Sequence, residues 1–112
     1  MTNSKPNVLI RDIRLKFVDA VLSIHGIYNY RYSKETFGVT QASVSRDMTL
    51  LHEEMPGILY NHHTKSFETT ADYKPMPTLE AVKFLRAIST VFDSTDFSVP
   101  GSVTVSQSGG KE

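Results

Sequence analysis

Cysteine is absent from the 112 residues. Neither a disulfide framework nor a thiolate metal site can therefore be built. Net charge is absent too, since 12 Lys and Arg balance 12 Asp and Glu. A bulk nucleic-acid coat depends on excess positive charge and does not fit that balance. No apolar run approaches the roughly 20 residues of a membrane span, and the N-terminal stretch lacks a signal-peptide apolar region. The chain reads as soluble and cytoplasmic, with no membrane partner. No Ser-His-Asp set, glycine-rich phosphate loop or paired-carboxylate arrangement stands out. No enzyme activity, cofactor or small-molecule ligand is expected.

A chain of this length reads as one domain with a short appended element. At 39% hydrophobic it can bury a small core, and small domains often gain stability by self-association. The charge that is present is uneven. Residues 1–50 carry Lys5, Arg11, Arg14, Lys16, Arg31, Lys34 and Arg46 against Asp12, Asp19, Glu35 and Asp47; the remainder is acidic. Such a division suits a nucleic-acid-facing front and a different back, although the excess is small.

Residues 1–6 read as a flexible N-terminus. From Asn7 to His25, Ile10, Ile13, Phe17, Val21 and Ile24 recur at helical steps, and Gly26 can end the helix. Asn29 can cap a second helix over 30–37, with Tyr32, Thr36 and Phe37 inward and Arg31, Lys34 and Glu35 outward. Gly38 allows a tight helix–helix turn. Thr40 caps a third helix reaching Glu54 or Met55, which Pro56-Gly57 stops. Residues 58–61 and 66–69 are short β-compatible runs around His62-His63-Thr64-Lys65, a hairpin reading. Residues 72–77 form an exit loop with two prolines. Thr78 can then cap a last helix over 79–92, with Glu80 in its first turn.

The third helix is the candidate site. At about 100° per residue, Met48, Leu51 and Met55 fall within about 40° of Val44. Ala42, Arg46, Thr49 and Glu53 lie on the far side, with Ser43 and Ser45 on the flanks. The apolar stripe docks; the other face offers small side chains and one arginine long enough to reach a guanine edge. Thr40, Gln41 and Ser43 sit at the helix N-terminus, where free N–H groups and hydroxyls favour phosphate. Taken alone, this helix fits a solvated amphipathic surface helix equally well.

With the hairpin added, residues 29–75 resemble the N-terminal winged helix-turn-helix domain of WYL-domain transcriptional regulators. Residues 39–48 also resemble the recognition-helix signature of deoxyribose-operon-repressor (DeoR-type) regulators. The ordered set is Val39-Thr40, Ser43, Arg46-Asp47, Pro56-Gly57, Tyr60, Lys65, Phe67 and Tyr73-Lys74-Pro75. The resemblance implies that the third helix enters the DNA major groove and that the hairpin is a wing on the backbone or minor groove. Ser43 and Arg46 become the foremost DNA-contact positions, with Gln41 and Ala42 nearby, and Lys65 a wing-tip phosphate contact. Asp47 would orient a neighbouring arginine. Two departures stand out. Ser45 occupies a position where DeoR-type proteins often carry a second arginine. The ligand-sensing domain of WYL regulators has no counterpart here, so effector control by that route is not expected.

His62-His63 suggests metal, but adjacent strand residues face opposite ways and no third ligand type is at hand. No metal site is expected, and a phosphate-holding role at the wing tip suits His63 better. The tyrosines at 28, 30 and 32 read as core packing or backbone-phosphate contacts. The last helix has two uses for its stripe: folding back on the first helix, or pairing with a second copy through Leu79, Val82, Leu85, Ile88 and Phe92. The second is favoured because operators are commonly read by two-fold dimers. Residues 93–112 read as a disordered tail, with residues 97–99 and 103–105 able to form strands with a partner.

The expected architecture is thus mainly α with a small β-hairpin. It comprises a flexible N-terminus (1–6), a winged helix-turn-helix (7–75), a C-terminal dimerisation helix (76–92) and a tail (93–112). The expected function is a sequence-specific DNA-binding transcriptional regulator, a repressor acting as a homodimer on a palindromic operator. Its DNA-facing residues would be Thr40, Gln41, Ala42, Ser43, Ser45, Arg46, Thr49, Lys65, Arg31 and His63. The alternative is a winged-helix protein-interaction module within a larger regulatory or mobile-element complex.

Overall fold

Burial in the first helix is broader than one stripe. The computed structural model describes residues 5–99 and 101, and α1 runs Lys5–His25. Phe17, Val18, Ala20, Val21 and Leu22 are all buried, whereas Ile10 is exposed and Ile13 and Ile24 only half-buried. The reason is that α1 is covered on several sides, by helices and by the sheet. The helix also starts earlier than expected, with Lys5 and Pro6 inside it; proline is tolerated in a first turn because its missing N–H has no partner there anyway. Residues 1–4 of the expected flexible end lie outside the described residues.

The remaining elements are β1 (Ile27–Tyr28), α2 (Tyr30–Phe37), α3 (Gln41–Glu54), β2 (Ile58–Asn61), β3 (Ser66–Thr69) and α4 (Thr78–Phe92). The strands form one antiparallel sheet in the order β1-β3-β2. Tyr28 pairs with Phe67, which pairs with Tyr60 on its other side. The protein is therefore mainly helical with a small three-stranded sheet, an arrangement compatible with a winged helix-turn-helix extended by a C-terminal helix. The hairpin lies where its sequence places it. β1 is an addition, since two residues are too few to show a strand period.

The turns follow from residue chemistry. The Asn29 side chain accepts from the Arg31 N–H at the start of α2. Gly38 at φ 71° closes α2 in the left-handed region that glycine enters without steric cost. Thr40 then accepts from the Ser43 N–H and opens α3. Gly57 carries a different constraint. A Cβ there would lie 2.3 Å from the Tyr73 backbone nitrogen, so the strand into the wing and the exit from it cross at near contact. Tyr73 is fixed in turn, because its hydroxyl donates to Asp19 on α1.

α4 runs back along α1. Met76 accepts from the Ser23 hydroxyl, and Glu80 lies 3.5 Å from the Lys16 ammonium. Ala81, Leu85 and Ile88 are buried in the common core. The helix begins after Pro77 with no side-chain cap, so Thr78 belongs to its first turn and is not the expected cap. The dimerisation expectation is corrected for two residues: Leu85 and Ile88 spend their apolar surface inside one chain. Val82 is half-buried, and Leu79 and Phe92 are exposed together with Val91.

The tail expectation is corrected at its start. Asp93 turns the chain in the left-handed region, and Phe97 inserts into the core at 3% exposure. Its ring meets Phe17 at 5.5 Å and Tyr32 at 5.1 Å, and its carbonyl lies 2.6 Å from His25 Nε2. Residues 97–99 form a turn and a bend instead of a strand. The suggested strand at 103–105 lies outside the described residues, as do 100 and 102–112 generally.

Candidate nucleic-acid interface

α3 divides as its periodicity predicts. Val44, Met48 and Leu51 are buried, while Gln41, Ala42, Ser45, Arg46 and Thr49 are exposed. Ser43 is half-buried between the cap and the outer face. The Thr40 hydroxyl donates to Ser43 Oγ at 3.3 Å, and the Arg46 guanidinium reaches the same oxygen at 3.4 Å. Arg46 is thereby laid along the first turn of the helix, with most of its donors free toward solvent. Thr49 donates to the Ser45 carbonyl one turn back, which leaves its methyl group to line the outer face.

One buried residue on this helix escapes the amphipathic reading. Asp47 has only 3% of its side chain exposed, and it accepts two bonds from Arg14 of α1. The Nε–Oδ2 distance is 2.7 Å and the Nη2–Oδ1 distance 3.0 Å, a two-pronged geometry that orients as well as attracts. The Asp47 hydrogen bond holds the guanidinium pKa above its ordinary value, against the opposing effect of burial. Asp47 does orient an arginine, but Arg14 on α1 and not its chain neighbour Arg46. The pair fastens the candidate reading helix to the longest helix of the fold. No local pattern in the sequence marks Arg14 for this role, because the partners are 33 residues apart.

The wing turn, residues 62–65, is exposed throughout. Asn61 ties it by accepting from the N–H groups of His63 and Thr64. Lys65 sits at φ 56°, a left-handed conformation that costs a non-glycine residue about 1–2 kcal/mol. Something must hold it there. The Asn29 side-chain amide donates to the Lys65 carbonyl at 2.9 Å and to Ser66 Oγ at 3.3 Å. Asn29 is read from the sequence as a helix cap only; its second role is invisible there because the contact spans 36 residues.

Helix and wing share a boundary. A cleft of about 310 Å³ between them is lined by Tyr30, Gln41, Ser45, Met48, Tyr60, Lys65 and Phe67. Three of the sequence-selected positions, Gln41, Ser45 and Lys65, thus meet at one place. A second hollow of about 450 Å³ continues along α3 past Ser45, Thr49, His52 and Glu53 to Leu59 and Tyr60. Tyr60 stands between them, its ring 4.8 Å from Phe67 and 4.8 Å from His62. The exposed Leu59 and Tyr60 are not among the expected site residues; strand alternation alone would turn one of the two inward.

Arg31 is exposed near the N-terminus of α2, and His63 is exposed on the wing. No group of three or more metal-ligating side chains occurs among the described residues. None of the described helices is long and apolar enough to cross a membrane. No protein-family model and no curated protein matches the chain.

Proposed function

We propose that the protein is a sequence-specific DNA-binding transcriptional regulator that presents α3 to the major groove and the β2–β3 hairpin to the backbone. One observation carries the reading. The outer face of α3 is an uninterrupted row of small and polar side chains around Arg46, and the wing lysine shares a cleft with that row. Small residues allow close approach to base edges, and a single long arginine can bind a guanine with two hydrogen bonds. The Asp47–Arg14 clasp adds support, because a reading helix must hold its angle to the rest of the domain.

Few cations serve this face: Arg46 for a base, and Lys65 and Arg31 for phosphates. One copy would bind weakly, and two copies on a palindromic operator are the natural remedy. Repression by obstruction is the simplest mode. Selection from a random duplex library, followed by footprinting, tests the reading. Arg46→Ala should relax sequence choice at one position, at a cost of about 1–3 kcal/mol against the preferred base. Unchanged selection by Arg46→Ala would remove α3 from the interface.

The exposed Leu59 and Tyr60 beside the cleft favour a second reading, a winged helix that docks on another protein. Duplex DNA failing to emerge from the selection, together with a protein complex stable in high salt, would decide for it.

A further inference from the structure

We infer that Asn29 is the positioning residue that sets the distance between the helix-turn-helix and the wing. This inference rests on the DNA-binding reading. Asn29 lies between β1 and α2 and uses both ends of its amide. The oxygen accepts from the Arg31 N–H at 2.8 Å and caps α2. The nitrogen donates to the Lys65 carbonyl and to Ser66 Oγ on the far strand of the hairpin. Ser66 is itself buried and donates to the Thr64 carbonyl. The α2 cap, the root of β3 and the left-handed Lys65 are therefore joined through one side chain.

The consequence concerns Lys65. Its Cα is held in an unfavourable backbone region and its side chain is exposed. Without the amide, the turn is free to relax to a right-handed or extended conformation, which would swing the ammonium away from the cleft it shares with Gln41 and Ser45. Asn29 touches no DNA in this scheme and acts only by aiming Lys65.

Asn29→Ser isolates the effect, because serine is also a good helix cap and adds no charge, but it lacks the amide donor and its reach. Two measurements go together. The Lys65 carbonyl held by Asn29 belongs to the bond that trypsin would cut, so limited trypsin digestion should cut after Lys65 at least several-fold faster in the variant. Cleavage after the other lysines and arginines should keep its parent rate. DNA affinity should fall about five- to tenfold, the same loss expected of Lys65→Ala, through loss of one aimed phosphate contact. In a Lys65→Ala background, Asn29→Ser should cost no further affinity, because the residue it aims is gone. Equal DNA affinity of parent and Asn29→Ser, multiplying losses in the double variant, or an unchanged cut after Lys65 would each overturn the inference while leaving the DNA reading intact. A parent protein that selects no DNA would remove the reading and the inference together, and that result is seen without any variant.

Discussion

Asp19 is a carboxylate whose surroundings disfavour its charge. Burial pushes its pKa above the ordinary 3.8, and the Tyr73 hydroxyl, which donates to it, only partly offsets this. A raised carboxyl pKa means that the folded state binds the proton more tightly than the unfolded chain does. The associated stability is fully present below the ordinary value and is lost as pH rises through the raised one. Asn at this position keeps an oxygen for the Tyr73 hydroxyl and carries no charge. Asp19→Asn should therefore melt at or above the parent temperature at pH 7. The difference should shrink as pH falls through the carboxylate range, in paired thermal melts at pH 7 and pH 4. An Asn variant that is less stable at pH 7 would mean that the carboxylate is the better acceptor there. Tyr73, on the other side of the bond, has its own pKa raised by burial and by the adjoining carboxyl, so it remains a donor throughout that range.

Between elements, the Arg14–Asp47 clasp is the contact with most at stake. Removing the carboxylate leaves a guanidinium with little access to water and no partner. Asp47→Ala should cost about 3 kcal/mol, the lower end for breaking a buried pair, since Arg14 keeps some exposure. Asp47→Asn, which retains an acceptor, should recover part of that in a denaturant titration. Equal losses for Ala and Asn would point to lost packing instead. At this scale the sequence was legible wherever a local rule governs. Gly38, Thr40 and Pro56-Gly57 bound their elements as turn and cap chemistry requires, and β2 and β3 fall on their β-compatible runs. Of the candidate site, the outer face of α3 was legible from its 3.6-residue period. The hairpin contact of Asn29, the role of Arg14 and the burial of Phe97 were not, because each rests on a residue distant in the chain. The α4 stripe was legible as apolar, but its destination was not: the same residues suit either a core or a second copy. Leu85 and Ile88 turned inward because α1 offers a continuous apolar neighbour.

The molecule as a whole has no net charge to draw it to DNA, so any affinity must come from a few placed cations. This makes the salt dependence informative about assembly. With Arg31 and Lys65 as the phosphate contacts of each copy, log K should fall against log salt with a slope of about −2 for one copy and about −4 for two. A slope near −4 with a two-fold footprint supports the proposed homodimer; a slope near −2 would leave a single copy on its site. The surface left for pairing is narrower than the α4 stripe suggested. Leu79 and Val91 face outward on α4, Phe92 is exposed on one side while its ring packs edge-on against Phe37, and Ile10 is exposed on α1.

The two residues of β1 also bear on when the domain can become whole. Tyr28 is fully buried, and its strand partner Phe67 arrives only after α2, α3 and β2 have been made. α1, α2 and α3 follow one another closely in the chain and can pack early, while this pairing must wait for a long loop to shut. A nascent chain that has not yet extended past β3 holds α3 without the β2–β3 hairpin and leaves one side of Tyr28 open. The interface proposed above would be complete only once Phe67 has emerged and paired with Tyr28.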